Sequence, residues 1–149
     1  MSPWLRGGFS VVWIHLHEYF PGQSVIVSAM PDQAMTDPNC IFCRILRGEI
    51  PANKVYEDVH VFAFEDLHPQ APVHVLIIPK KHFAGLKEAQ SDDAEAIGRC
   101  HLAAAEIARQ RNIEEGYRTV INAGPGAGQS VFHLHVHLLG GRPLAWPPG

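Results

Sequence analysis

Gly128-Gln-Ser-Val-Phe-His-Leu-His-Val-His-Leu-Leu139 is the stretch from which the rest of this 149-residue chain is read. His133, His135 and His137 alternate with Leu134, Val136 and Leu138. Successive side chains of a β-strand point to opposite faces, so residues two apart share a face. The three imidazoles are therefore expected along one side of a strand, roughly 6–7 Å apart at the backbone. The aliphatic residues between them would pack on the other side. A helix would scatter the same rings around its axis. One histidine in such a place is ordinarily a metal ligand or part of a polar face. Three in strict alternation point to chemistry on one small substrate.

The run before them, Ala123-Gly-Pro-Gly-Ala-Gly-Gln-Ser130, is rich in glycine. Such a turn can gather backbone N–H groups into an anion-binding nest. It is no P-loop, because no Gly-Lys-Ser/Thr follows and the next element is a strand. An anion cradle beside a row of imidazoles points to phosphoryl or nucleotidyl transfer, with histidine as nucleophile or acid–base group.

Upstream, Gly116 to Asn122 reads as a strand and Ser130 to Leu139 as the next. A longer helix precedes them: Ser91 is a plausible N-cap, Asp92 and Asp93 suit its first turn, and Ile97, His101, Ala104, Ile107 and Ala108 recur at helical spacing. Cys100 reads as a small core residue. Val73 to Pro79 is a largely buried strand, and Lys54 to Glu57 and His60 to Glu65 are two more, joined at Asp58. Cys40 to Leu46 forms a short helix, capped by Asp37 or Asn39 and ended by Gly48. Helix, three strands, helix, two strands implies an α+β fold, an antiparallel sheet with its helices on one face. Residues 1–36 carry no sustained period and read as an extension outside the fold, with Met35 as an alternative start; His15-x-His17 within it is incidental.

Composition sets outer bounds. A chain with 46% apolar and 18% charged residues suits one globular domain. A net charge of −3 argues against a broad nucleic-acid or membrane footprint, and no apolar run reaches membrane-spanning length. Three cysteines do not make a secreted disulfide framework, so a reducing, cytoplasmic setting is expected.

His133-Leu-His-Val-His-Leu-Leu139 resembles the His-φ-His-φ-His-φ-φ signature of the histidine triad (HIT) superfamily. Asp66-Leu-His-Pro-Gln-Ala-Pro-Val-His74, Ile78-Pro-Lys-Lys-His82, Gly140-Gly-Arg142 and Trp146-Pro-Pro-Gly149 resemble its Hint branch, the purine nucleoside phosphoramidases. The resemblance runs from Asp37 to Gly149, and so sets the domain at 37–149. It implies a five-stranded antiparallel HIT-like sheet with two helices, and a homodimer with a continuous sheet. It also implies hydrolysis of adenosine 5′-phosphoramidates to AMP and amine through a nucleotidyl-histidine.

By that resemblance His135 is the nucleophile, its second ring nitrogen held by a backbone carbonyl. His137 meets the phosphate, Ser130 and Gln129 bond the phosphate and its leaving group, and Gly128 and Asn122 add phosphate-side contacts. Asp66 accepts the ribose hydroxyls, Leu67 covers the base, and Phe42, Ile45, Ile50 and Phe64 wall the purine pocket. Trp146 reaches the partner's active site. Two other readings stay open: hydrolysis of dinucleoside polyphosphates or adenylated substrates, and a zinc-stabilised nucleotide-binding module with little catalysis.

Cys40-Ile-Phe-Cys43 departs from the animal Hint pattern. A C-x-x-C can hold zinc, stay as free thiols or be redox-active, although no thioredoxin-like βαβ pattern accompanies this one. Structural zinc takes four tetrahedral N/S ligands. Resemblance to bacterial HIT proteins supplies Cys40, Cys43, His82 and His133, with His74 as rival for the third place. A filled site of that kind would leave His135 and His137 free.

Overall fold

The structure, a computed structural model, describes residues 37–148; the expected extension over residues 1–36 lies outside the described residues, as does Gly149. In chain order the elements are α1 (Ile41–Leu46), β1 (Lys54–Glu57), β2 (Val61–Glu65), β3 (Val73–Pro79), a 3₁₀ turn (Ser91–Asp93) running into α2 (Ala94–Gln110), β4 (Tyr117–Val120), a second 3₁₀ turn (Pro125–Ala127) and β5 (Val136–Gly140). The strands form one antiparallel sheet in the order β1-β2-β3-β5-β4. This is the expected α+β class.

β3 lies at the centre because its sequence leaves neither face for water. Val-His-Val-Leu-Ile-Ile-Pro is buried at every position after Val73. Alternation then sends Val75 and Ile77 to one side, where they join Val61, Ala63, Val136 and Leu138 beneath Cys100, Ala103, Ala104 and Ile107 of α2. Leu76 and Ile78 go to the other side and join Phe64 beneath Phe42 and Cys43 of α1. The two helices thus cover opposite faces, not the single face expected. A strand apolar on both sides requires two covers. Each fully buried aliphatic side chain contributes about 1.5–3 kcal/mol, so the α2 side, with five buried residues from that helix alone, is the principal store of stability.

The caps also differ from expectation. Asp37 Oδ1 accepts the Asn39 N–H at 2.8 Å, and among the described residues no side chain caps α1. Gly48 does end that helix, in the left-handed conformation (φ +74°) that favours glycine. At the 3₁₀ turn that leads into α2 the cap falls on Gln90, not Ser91, with Asp93 Oδ2 taking the Gln90 N–H at 2.8 Å. Asp58 makes the expected β1–β2 turn by accepting the N–H groups of His60 and Val61 at 2.7 and 2.8 Å. Among the described residues no helix is long and apolar enough to cross a membrane.

Candidate active site

The histidine segment is strand only from Val136 onward, not from Ser130. Beyond Val136 the β5–β3 ladder stops, and the loop following β3 takes over the pairing. Leu134 N–H donates to Phe83 O at 2.8 Å, and the His133 ring bonds Pro79 O at 2.9 Å. The alternation of faces survives this change. Leu134, Val136 and Leu138 are fully buried, the last two in the α2-side core, while His133 and His135 pack on the α1 side against Phe42.

Hydrogen bonds assign the tautomers. His135 Nδ1 lies 2.7 Å from the carbonyl of His133, its only nearby acceptor among the described residues, so Nδ1 carries the hydrogen and Nε2 keeps a lone pair. A second chain begins at the Gln70 N–H, which donates to His74 Nδ1 at 3.1 Å. His74 must then carry its hydrogen on Nε2, which faces His137 Nδ1 at 2.9 Å and Asp66 Oδ2 at 3.4 Å. His137 accepts at Nδ1, so its own hydrogen is on Nε2, a buried atom with no partner among the described residues. The rings of His135 and His137 are 5.0 Å apart. One offers a lone pair and its neighbour offers a donor.

Burial pushes the His137 imidazole down to about 4, with the His135 and His74 rings acting in the same direction. His74 is likewise lowered, chiefly by burial against the opposing pull of Asp66. Both are neutral at pH 7, as the hydrogen-bond chain requires. His74 has a role that the sequence reading missed, and it is no ligand of the cysteine cluster. Spacing alone would let Asp66, His74 and His137 hold a cation. The Gln70 N–H on Nδ1 opposes this, since it leaves a hydrogen and not a lone pair on His74 Nε2.

These groups open onto a cleft of about 290 Å³, near the lower end of small-molecule sites. Phe42, Ile45, Ile50, Phe64 and Leu76 form its apolar wall, and Asp66, Ser130, His135 and His137 its polar end. Asp66 spends Oδ1 on the His68 N–H at 2.7 Å. Leu67 stands exposed on the rim, at 84%. Trp146 is equally exposed and is not among the residues lining the cleft. A wider depression of about 610 Å³ along β1 is open surface, where Lys54 and Lys80 both pair with Glu57.

The glycine-rich loop differs from the anion nest expected. The N–H groups of Ala127, Gly128 and Gln129 donate to Gly124 O, Pro125 O and Gly124 O, closing the 3₁₀ turn on itself. Gln129 is buried and turns inward. Its Oε1 accepts the Gly124 N–H at 2.9 Å, and Nε2 donates to Ala84 O at 2.7 Å and Val131 O at 3.1 Å. The side chain staples the loop, with Gly85 leaving room for it. Gly128 adopts a left-handed φ of +88°, near the Asn122 side chain. Ser130 remains exposed at the cleft.

Behind the triad, Cys40, Cys43, His82 and His133 bring one donor atom each within 4.8 Å of one another. His133 Nδ1 is 3.5 Å from each Sγ and 3.2 Å from His82 Nδ1, and Cys43 Sγ is 3.3 Å from His82 Nδ1. A tetrahedron with Zn–N of about 2.0–2.1 Å and Zn–S of about 2.3 Å has edges of roughly 3.3 Å (N to N) and 3.6 Å (N to S). The observed separations fit. Without a cation, burial pushes the Cys43 thiol up to about 11 and the His133 imidazole down to about 4. Sites of this kind bind metal by releasing protons.

Comparison with known proteins identifies the family. The family model of the HIT domain matches residues 47–144. The chain belongs to the HIT-domain family. This HIT protein is 50% identical over 117 residues to the 14 kDa zinc-binding protein of Zea mays, covering 77% of this chain and 91% of that one. It is 41% identical over 140 residues to the adenylylsulfatase HINT1 of Arabidopsis thaliana, covering 90% and 95%. A HIT family hydrolase of Legionella pneumophila superposes with a TM-score of 0.73 at 50% identity, over 74% of this chain and all of that one.

Proposed function

We propose that this HIT protein is a nucleotide hydrolase acting on purine nucleoside 5′-phosphoramidates, releasing AMP and an amine. One observation carries the reading: adjacent imidazoles in opposite tautomers at the polar end of an apolar cleft. The base would lie against Phe42, Ile45, Ile50 and Phe64, with Leu67 over it and the ribose hydroxyls on Oδ2 of Asp66, the oxygen not taken by the His68 N–H. The α-phosphate then falls at His135, His137 and Ser130.

His135 Nε2 attacks phosphorus and the P–N bond to the amine breaks. The amine leaves with a proton drawn from solvent on the exposed Ser130 side. The His137 N–H donates to a phosphate oxygen, where negative charge must be held. The His133 carbonyl holds the Nδ1–H of the ring as it turns cationic. Water then attacks the phosphorus of nucleotidyl-His135 and gives up a proton to solvent as the bond to Nε2 breaks, which releases AMP and regenerates the neutral ring. The side chains of Cys40, Cys43, His82 and His133 would hold structural zinc that takes no part in these bond changes. A second copy sharing the sheet through the edge strand β4 would supply a surface for Trp146, and its tail would shape leaving-group preference.

The name of the Arabidopsis relative favours a second reading, in which the leaving group is an acid and the substrate an adenylyl anhydride such as adenylyl sulfate. Both use His135. Rates on AMP-morpholidate, adenylyl sulfate and diadenosine polyphosphate, measured side by side, separate the two. Rapid quench of wild type should trap a phosphohistidine. His135→Ala should fold and bind AMP but turn over none of the three. Wild-type turnover in that variant rules out histidine nucleophilic catalysis.

A further inference from the structure

His133 joins two sites that would otherwise be separate. Its ring is fully buried, Nδ1 facing both cysteine sulfurs and His82, and Nε2 bonded to Pro79 O. Its carbonyl takes the Nδ1–H of His135 at 2.7 Å. The residue completing the Cys₂His₂ set therefore also orients the neighbouring ring. On the far side of that set, Cys40 and Cys43 flank Phe42. The Phe42 ring stands edge-on to His135 (5.3 Å, 87°) and to Phe64 (5.5 Å, 72°), forming part of the cleft wall.

α1, which carries Phe42, is six residues long and has no side-chain cap. Isolated helices shorter than about 12–15 residues are marginal in water. This one is held by its apolar contacts with the sheet and by the two cysteines. The core beneath α2 draws no residue from it.

We propose that Cys40, Cys43, His82 and His133, closed on zinc, form a clamp that positions the active site. They pin α1 to the histidine segment, and so set both the Phe42 wall and the orientation of His135, while the fold stands on the opposite face of the sheet. The proposal rests on the nucleotide site and the zinc centre put forward above, and it assigns the centre a role in ligand binding.

The test uses the full chain, once with one zinc per chain and once stripped by chelator in the presence of a thiol reductant, so that Cys40 and Cys43 stay reduced. AMP affinity is measured by calorimetry, the sheet by far-UV circular dichroism, and the His135 tautomer by ring ¹⁵N shifts. The stripped protein should keep its sheet signal and bind AMP roughly 10- to 100-fold more weakly, the range seen when supporting partners of a metal site are lost. His135 should then lose its single Nδ1–H signature, and zinc, but not magnesium, should restore both. Phe42→Ala in the zinc-loaded protein should weaken AMP binding while keeping that signature.

Equal affinity and an unchanged His135 signature with and without zinc overturn the clamp. So does loss of the sheet on stripping, which would make zinc a staple of the whole fold. If the loaded protein does not bind AMP, the nucleotide reading fails, and the ¹⁵N comparison still decides the clamp.

Discussion

His74→Phe isolates what the hydrogen-bond chain contributes to the chemistry. The substitution keeps a planar ring at a site only 4% exposed but removes both nitrogens. Two hydrogen bonds disappear, from the Gln70 N–H at 3.1 Å and to His137 Nδ1 at 2.9 Å, together with the longer 3.4 Å contact to Asp66 Oδ2. The Gln70 amide lies next to exposed residues and can turn to water. His137 Nδ1 cannot, so the loss is that of one buried acceptor, about 1–3 kcal/mol. His137 is also free to move its hydrogen to Nδ1, which would aim a lone pair at a phosphate oxygen in place of a donor. If the whole cost falls on the transition state, kcat/KM declines roughly 5- to 150-fold, with the larger share in kcat because the donor matters most when charge develops. Steady-state kinetics on AMP-morpholidate measure this, and ¹⁵N shifts of the His137 ring check the tautomer. A variant with wild-type kcat and a mixed His137 tautomer would refute the reasoning, since it would mean that the orientation of that hydrogen is irrelevant.

Stability should depend on pH in a definite window. His137 is lowered to about 4 and His74 is lowered too, each from an ordinary value of 6.5. The unfolded chain therefore binds more protons than the folded one between those values, and stability is lost as pH falls from 6.5 towards 4. Urea midpoints across that range should decline in wild type and decline less in His137→Phe; parallel slopes would contradict the assignment. Gln129→Ala removes three hydrogen bonds at a residue 6% exposed and should cost about 2–3 kcal/mol, seen as a lower melting temperature and faster amide exchange over residues 124–131. Gly85→Ala sets a Cβ 3.2 Å from the Gln129 amide and should also destabilise, but less so when Gln129 is already Ala. Additive costs would show that the two do not share the contact.

The sequence was most legible where one periodicity decides the outcome. Alternation from His133 to Leu138 predicts which side chains share a face, and it holds although only part of the segment is strand. The four cysteine and histidine donors lie up to 93 residues apart, yet come together as the family pattern implies. The failures have separate physical causes. His74, in the buried run of β3, reads only as a rival metal ligand because nothing local reveals that Gln70 and His137 bracket its ring. Gln129 reads as a ligand contact because its inward turn depends on room left by a glycine 44 positions earlier. The one-sided sheet fails because β3 is apolar on both faces, which fixes the number of covers but not which helix supplies each.

That the apolar interior is two bodies divided by the sheet has a consequence for change over time. Val75 and Ile77 answer to α2, while Leu76 and Ile78 between and beyond them answer to α1. Substitutions at Ile45, Ile50 or Phe64 can therefore remodel what the cleft accepts while leaving the α2 side untouched. A lineage, or an engineer, could retune ligand choice on one wall without reopening the question of whether the chain folds.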